Sequence, residues 1–212
     1  MNGNVSQTVW LCRHGNRIDF VDPTWKGSDP HLSPDGCIQA RETGARLRGE
    51  NIRHIFASPF FRAIETASYI ADALDLAVKI EHGICEWLKG GWFPATPDFI
   101  SLDQAIVQFP RVDRDYCSKV QPEYPETRED VNARCALTMR RLLEAYPEDF
   151  LLIGHGASTL GAAKALVGHD VELSVGLCAL TKIVRQDGEW QLELNGDASH
   201  LTGGEAHAGK FN

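Results

Sequence analysis

The sequence has no excess of basic residues and no long apolar run. Its 21 Lys and Arg stand against 29 Asp and Glu, a formal net charge of −8. General nucleic-acid binders and membrane-surface binders need clustered cations, so we expect neither class. The longest stretch without a formal charge, residues 150–163, contains a histidine and three glycines and is too short and polar to span a bilayer. Any anion that the protein binds must be held by a local group of cations.

Cysteine motifs are missing as well. The six cysteines are scattered without a Cys-x-x-Cys pair, which predicts neither a zinc site nor a redox-active dithiol. Free thiols are typical of a reducing compartment, and no apolar segment near residue 1 is long enough for a signal-peptide core. We therefore expect a cytoplasmic protein without a metal or other cofactor, and without a nucleic-acid or membrane partner. The sequence leaves the oligomeric state open.

What is present is the pattern of an α/β domain. Short apolar runs alternate with segments of helical period, which predicts a three-layer α/β/α sandwich around a mostly parallel sheet. Strands are predicted at 8–12, 52–57, 78–80, 150–153, 180–185 and 190–194. Helices are predicted to open at Ser33-Pro34, Ser58-Pro59, Thr127 and Ser158. We expect one domain over 1–212, with an irregular excursion at about 86–128 over the active-site edge and a loose tail of about ten residues.

Arg and His side chains follow three of the predicted strands. Arg13 and His14 follow the first, Arg62 comes shortly after the second, and His155 follows the strand at 150–153. Ligands of open α/β sheets bind beyond the carboxyl ends of the strands, and helix N-termini add positive potential there. This edge is therefore a candidate dianion site. Taken alone, the first of these histidines, His14, is more typical of a structural histidine, and Arg62 alone favours a surface ion pair with Glu65 or Glu42.

Four motifs together are more specific than any one of them. They are Leu11-Cys12-Arg13-His14-Gly15, Leu32-Ser33-Pro34-Asp35-Gly36-x-x-Gln39-Ala40, Ala57-Ser58-Pro59-x-x-Arg62-Ala63-x-x-Thr66-Ala67 and Gly154-His155-Gly156. Their order resembles the histidine phosphatase superfamily, also called the phosphoglycerate mutase-like family. The segments Asn16-Arg17, Ile84-Cys85-Glu86-Trp87 and 155–160 are most similar to the phosphatase domains of the suppressor of T-cell receptor signalling proteins.

The resemblance implies a phosphoglycerate mutase-like fold and a metal-independent phosphatase that hydrolyses phosphomonoesters through a phosphohistidine intermediate. His14 is implied as the nucleophile and Glu86 as the acid that protonates the leaving group. The phosphoryl group is expected to contact Arg13, Arg17, Arg62 and His155, and the substrate also to contact Asn16. Charge-assisted bonds from guanidinium suit phosphoryl oxygens, and like charge near His14 favours the neutral, nucleophilic ring. The expected substrate is a small phosphorylated molecule or a phosphoprotein.

Several alternatives stay open at this point. Glu81 is the nearest rival to Glu86 as the acid, although apolar neighbours suit Glu86 to hold a proton. A mutase of the same fold is disfavoured because its Arg-Glu-Arg-x-Tyr-Gly run is missing, and a non-catalytic phospho-ligand binding module is the third reading. Four aromatic residues and a proline fit a substrate pocket and a core equally well: Trp25, Trp87, Trp92, Phe93 and Pro94.

Overall fold

The computed structural model describes residues 6–168 and 171–202 and contains a six-stranded sheet. The strands are β1 (Gln7–Arg13), β2 (His54–Ala57), β3 (Val78–Ile80), β4 (Phe150–Gly154), β5 (Leu180–Gln186) and β6 (Glu189–Asp197). Their order in the sheet is β3-β2-β4-β1-β5-β6. The first four strands in this order are parallel to one another. β5 is antiparallel to both of its neighbours, β1 and β6. The tail predicted at the last ten residues lies outside the described residues.

Within the described residues, five α-helices connect these strands. They are α1 (Pro34–Leu47), α2 (Phe61–Leu74), α3 (Leu102–Gln108), α4 (Arg128–Ala145) and α5 (Gly156–Val167). The predicted caps at two helix starts are confirmed. The Ser33 hydroxyl accepts a hydrogen bond from the Gly36 N–H at 3.1 Å, and Thr127 and Asp130 form a reciprocal capping box. Each cap satisfies backbone N–H groups that lack a partner within the first helical turn.

The helices cover both faces of the sheet. α1 and α2 pack against each other on one face, and α4 and α5 pack together on the other. Every residue of β1 and of β4 is buried, as expected for parallel strands covered on both sides. The predicted α/β/α sandwich with a mostly parallel sheet is confirmed.

The predicted start of the second helix is wrong. α2 begins at Phe61, its N-cap residue Phe60 provides no side-chain cap, and the Phe61 N–H donates instead to Asp29 Oδ2 at 2.7 Å. Ser58 lies three residues before the first residue of α2, because the chain first turns at the end of β2. Its hydroxyl is consequently available to a different partner, His155.

Residues 86–128, all of which the structure describes, contain α3 as their one complete α-helix, end on the first residue of α4 and include none of the strands of the sheet. We call this segment the excursion. It begins after Cys85 and returns beside its own beginning, where the Glu126 N–H donates to the Leu88 carbonyl at 2.9 Å. Its two ends are therefore held together next to the carboxyl end of the sheet.

Candidate active site

Three neighbouring strands end together at the site. In the sheet, β4 lies between β2 and β1, with Ala57 opposite Ile153 and Arg13 opposite Gly154. The residue after each strand lies at this edge of the sheet. Two of these residues are fixed by backbone hydrogen bonds to β4: the His14 N–H donates to the Gly154 carbonyl at 3.0 Å, and the Ser58 N–H donates to the Ile153 carbonyl at 2.9 Å. The sheet thus brings His14 and His155 together, with 5.2 Å between their ring centroids.

His14 has a defined tautomer. Its side chain is fully buried, and Nδ1 lies 2.8 Å from the Gly15 carbonyl oxygen. A carbonyl only accepts hydrogen bonds, so Nδ1 carries the proton and Nε2 keeps its lone pair. In the part of the chain that the structure describes, no group hydrogen-bonds to Nε2. Burial, together with the charges of Arg62 and Arg13, holds the pKa of His14 well below its usual value, so the ring is neutral and nucleophilic.

The loop after β1 is fixed by residues of the other motifs. The Gly15 N–H donates to Thr66 Oγ1 at 3.1 Å, and the Asn16 N–H donates to Gln39 Oε1 at 2.9 Å. Gly36 is required by close approach, because a Cβ at this position would lie 2.1 Å from the Asn16 carbonyl oxygen. These contacts explain why the second and third motifs accompany the first.

Arg62 is held by an acid that the motif analysis missed. Its Nη1 donates to Asp29 Oδ1 at 3.1 Å, its Nη2 lies 3.2 Å from His155 Nδ1, and its guanidinium stacks over Phe60 at 4.4 Å. Burial lowers the pKa of Arg62 to about 10, which leaves it a cation at neutral pH. Asp29 belongs to no motif, and its distance of 33 residues from Arg62 in the sequence hides the pairing.

His155 contributes a neutral ring to the site. Arg62 Nη2 is only a donor, so His155 Nδ1 accepts, and Nε2–H donates to Ser58 Oγ at 2.7 Å. Burial, with the charge of Arg62, holds the pKa of His155 well below its usual value. The role of Ser58 was missed because Ser-Pro is also the common signal for a helix N-terminus.

Arg13 and Arg17 differ in how firmly they are held. Arg13 is buried, donates from Nη1 to the Val175 carbonyl at 3.1 Å, and burial lowers its pKa to about 10. Arg17 is partly exposed, pairs through Nε with Asp19 Oδ1 at 2.9 Å and stacks over Phe20 at 4.2 Å. Arg17 is thus a more adjustable cation than Arg13.

Arg13, Arg17 and Arg62 line one cavity of about 400 Å³, whereas the fully buried His14 and His155 are not among its lining residues. Charged residues that line it include Arg13, Arg17, Asp19, Arg62 and Glu86, and its apolar lining includes Pro30, Phe60, Trp92, Phe93 and Pro94. Trp92 is 57% exposed and packs against Trp87 in a tilted arrangement, with 5.5 Å between ring centroids. Of the aromatic residues considered from the sequence, Trp92 and Phe93 line the cavity, whereas Trp25 and Trp87 are not among its lining residues.

The structure separates the two candidate acids. Glu86 lines the cavity, and its Oε2 lies 3.6 Å from His155 Nδ1. Glu81 is fully buried and accepts hydrogen bonds from the Tyr116 hydroxyl at 2.5 Å and the Ser118 hydroxyl at 2.8 Å. It also accepts from the Lys119 N–H at 2.7 Å. Glu81 therefore organises part of the excursion and does not face the cavity.

Asn16 lies in the turn that carries Arg17. It is not among the residues that line the cavity, and its Oδ1 accepts a hydrogen bond from the Arg17 backbone N–H at 3.0 Å. A short amide side chain that is engaged with the adjacent backbone stabilises the turn. A contact of Asn16 with the substrate stays a prediction.

Within residues 6–168 and 171–202, no group of three or more His, Cys, Asp or Glu side chains is arranged to hold a metal ion. In the same ranges, no helix is both long and apolar enough to cross a membrane. All six cysteines are free thiols.

The chain belongs to the histidine phosphatase superfamily (branch 1), whose family model matches residues 9–198. This membership confirms the identification made from the motifs. A subunit of transcription factor tau (55 kDa) from Saccharomyces cerevisiae is 28% identical over 95% of this chain and 58% of its own length. Ubiquitin-associated and SH3 domain-containing protein A from Mus musculus is 30% identical over 84% of this chain and 32% of its own length. The chain thus spans only part of these relatives.

A similar fold is found in the crystal structure of ecdysone phosphate phosphatase from Bombyx mori in complex with tungstate. The two structures agree with a TM-score of 0.75 at 23% sequence identity, over 88% of this chain and 91% of that chain. The likeness supports the phosphoglycerate mutase-like architecture.

Proposed function

We propose that this chain is a phosphatase that hydrolyses phosphomonoesters through a phosphohistidine intermediate on His14, without a metal ion. The observation that carries the proposal is the buried, unprotonated Nε2 of His14 beside the Arg13 and Arg62 guanidinium groups. A neutral imidazole among fixed cations is suited to attack a phosphoryl group, because the cations stabilise the negative charge on the transferring oxygens.

In the first step, the lone pair of His14 Nε2 forms a bond to phosphorus as the bond between phosphorus and the leaving oxygen breaks. Arg13, Arg17 and Arg62 bind the phosphoryl oxygens. A protonated Glu86 gives its proton to the leaving oxygen, so the product departs as an alcohol rather than as an alkoxide.

In the second step, water attacks phosphorus and the N–P bond breaks, which returns the electron pair to Nε2. Glu86, now a carboxylate, accepts the proton of the attacking water. The products are inorganic phosphate and the starting form of the enzyme, so protons and electrons balance over the cycle.

The lining of the cavity supports a phosphatase over a mutase. A phosphoglycerate-type mutase must also hold the carboxylate of its substrate, and a second cluster of cations suits that task. Beyond the three arginines, the residues that line the cavity are acidic, small or apolar. The aromatic surface of Trp92 and Phe93 favours a leaving group with an apolar face.

A non-catalytic binding module does not need an acid at the phosphoryl site. Glu86 faces the cavity beside His155, and this position supports catalysis. We also propose a cytoplasmic protein that acts on a small phosphorylated molecule or a phosphoprotein, supported by the free thiols and by the open, partly apolar cavity.

The role of Glu86 as the acid is tested by comparing kcat/KM for two substrates whose leaving groups differ in their need for a proton. An alkyl alcohol leaves poorly without a proton, whereas p-nitrophenolate departs nearly unaided. Glu86→Gln should lose about 10²- to 10⁴-fold in kcat/KM for glycerol 2-phosphate and much less for p-nitrophenyl phosphate. Phosphate release is measured after exhaustive treatment with EDTA, which also tests metal independence.

Glu81→Gln is the matched control, because Glu81 is a glutamate of the same region that does not line the cavity. It should leave the ratio of the two rates unchanged. Equal losses for both substrates in Glu86→Gln contradict the assignment of the acid. Failure of either substrate to release phosphate after chelation, with recovery on adding Mg²⁺ or Zn²⁺, contradicts the mechanism.

A further inference from the structure

A buried ion pair lies against the segment that carries Glu86. Arg134 of α4 and Glu126 at the end of the excursion form a two-pronged contact, with Nε to Oε1 at 2.5 Å and Nη2 to Oε2 at 2.8 Å. Their side chains are 5% and 3% exposed. Neither residue lines the active-site cavity, so the catalytic cycle described above does not account for them.

Arg134 also binds the backbone on the N-terminal side of Glu86 and at Glu86 itself. Nη1 donates to the Gly83 carbonyl at 2.9 Å and to the Cys85 carbonyl at 3.3 Å. Nη2 donates to the Glu86 carbonyl at 3.2 Å. One guanidinium therefore fixes three carbonyl groups of residues 83–86 in addition to its carboxylate partner.

Glu126 binds the backbone and side chains on the C-terminal side of Glu86. Its Oε2 accepts from the Leu88 N–H at 2.9 Å, and its carbonyl accepts from the Trp87 indole Nε1–H at 2.9 Å. Its own N–H donates to the Leu88 carbonyl at 2.9 Å. Residues on both sides of Glu86 are thus attached to the same buried pair.

We propose that Arg134 and Glu126 act as a clamp that positions Glu86 to protonate the leaving group. The proposal rests on the proposed function, and it makes the two residues positioning residues rather than catalytic ones. Glu86 lies on an irregular segment, where regular strand or helix bonds do not fix the backbone. A displacement of about 1 Å in a catalytic group is enough to cost about 10²-fold in rate.

The chemistry of the pair supports this role over simple stabilisation. A buried ion pair often contributes no more to stability than apolar residues of the same volume, because both charges must be desolvated. Binding a carboxylate and several carbonyls at once needs the rigid, planar set of donors that arginine has and lysine lacks. The pair is thus suited to hold the geometry of residues 83–88.

A double-mutant cycle tests the clamp. Glu126→Gln keeps the shape of the side chain and removes the charge, and Arg134→Lys keeps the charge and removes the fork. Either variant should lose about 10- to 100-fold in kcat/KM for glycerol 2-phosphate and less than about threefold for p-nitrophenyl phosphate. In the Glu86→Gln background, the same substitutions should cost little further activity toward glycerol 2-phosphate, because the group that they position is already inactive.

Tyr116→Phe provides the matched control. It removes a buried hydrogen bond of the excursion that ends on Glu81, so it should lower the melting temperature without changing the ratio of the two rates. Thermal unfolding of each variant shows which ones are folded, and if one clamp variant does not fold, the other completes the cycle.

Two outcomes overturn the clamp. In the first, a clamp variant loses kcat/KM equally for both substrates. In the second, it loses as much kcat/KM in the Glu86→Gln background as in the wild type. Each outcome indicates a general effect of packing. If Glu86→Gln itself shows no preference between the leaving groups, the proposed acid is wrong. If Glu86→Gln shows the preference and neither clamp variant does, the clamp alone is wrong.

Discussion

The strand-end part of the site and the excursion hold their functional side chains by different means. Arg13, His14, Arg62 and His155 are between 0% and 3% exposed, and the ends of adjacent parallel strands and the start of α2 fix them. Glu86 and Trp92 lie on irregular backbone, and Trp92 is 57% exposed. Side-chain hydrogen bonds from Arg134 and Glu126, rather than strand pairing, hold the Glu86 segment.

The two regions would act on different parts of the substrate. The phosphoryl group is the same in every phosphomonoester, and the groups that we propose to bind and attack it lie on the most rigid part of the fold. The leaving group varies between substrates, and the residues that would protonate and contact it lie on the excursion. Substitutions in the strand-end part should therefore lower kcat/KM alike for all phosphomonoesters. Substitutions in the excursion should lower it by an amount that depends on the leaving group.

Among substitutions of the arginines that would bind the phosphoryl group, the largest effect is expected for Arg62→Ala. Loss of this buried cation removes the contact that we propose with the transferring phosphoryl group, and it leaves Asp29 without its ion pair. We expect kcat/KM to fall by about 10²- to 10³-fold for glycerol 2-phosphate and p-nitrophenyl phosphate alike, because both substrates carry the same phosphoryl group. Arg17→Ala should cost less, since Arg17 is partly exposed and shared with Asp19. A loss confined to one substrate contradicts the assignment of Arg62 to the phosphoryl group.

A measurable decrease in the free energy of unfolding is expected on acidification. His14 and His155 have pKa values held below the ordinary range by burial and by Arg62. Below about pH 6.5 the unfolded chain binds protons on these rings that the folded chain does not bind, so the free energy of unfolding falls as the pH falls. Each ring contributes up to about 1.4 kcal/mol per pH unit in that window.

Urea unfolding of the wild type and of His14→Asn between pH 7.5 and pH 5 measures this contribution. The variant should show a shallower loss of stability on acidification. Identical slopes contradict the neutral state assigned to His14.

The smallest effect is expected at the rim of the cavity. Trp92→Ala removes an aromatic face that a leaving group contacts, and we expect KM for p-nitrophenyl phosphate to rise by about threefold to tenfold with little change in kcat, on the order of one aromatic contact. Glycerol 2-phosphate should be unaffected. Trp25→Ala is the control, because Trp25 does not line the cavity. A loss in kcat for both substrates contradicts a role limited to the leaving group.

The strand-end region was predicted well from sequence because local patterns define it. Apolar runs mark β1 and β4, and residues that directly follow parallel strands meet at one edge by geometry alone. The Asp29–Arg62 pair and the Arg134–Glu126 pair were not found, since no periodicity or spacing relates side chains on separate loops and helices. Ser58 was misread because Ser-Pro also matches a helix cap, and the hydroxyl binds His155 only after folding. The choice between Glu81 and Glu86 likewise depended on which carboxylate the folded chain buries.

The most direct test of the mechanism is to trap the phosphoryl enzyme. Protein mixed with ³²P-labelled p-nitrophenyl phosphate and quenched within the first turnovers should retain label that is lost in acid and stable in base, because a phosphoramidate hydrolyses in acid. Peptide mapping should place the label on His14, and His14→Asn should carry none. Label that persists in His14→Asn, or that is stable in acid and lost in base, would contradict a phosphohistidine at this position.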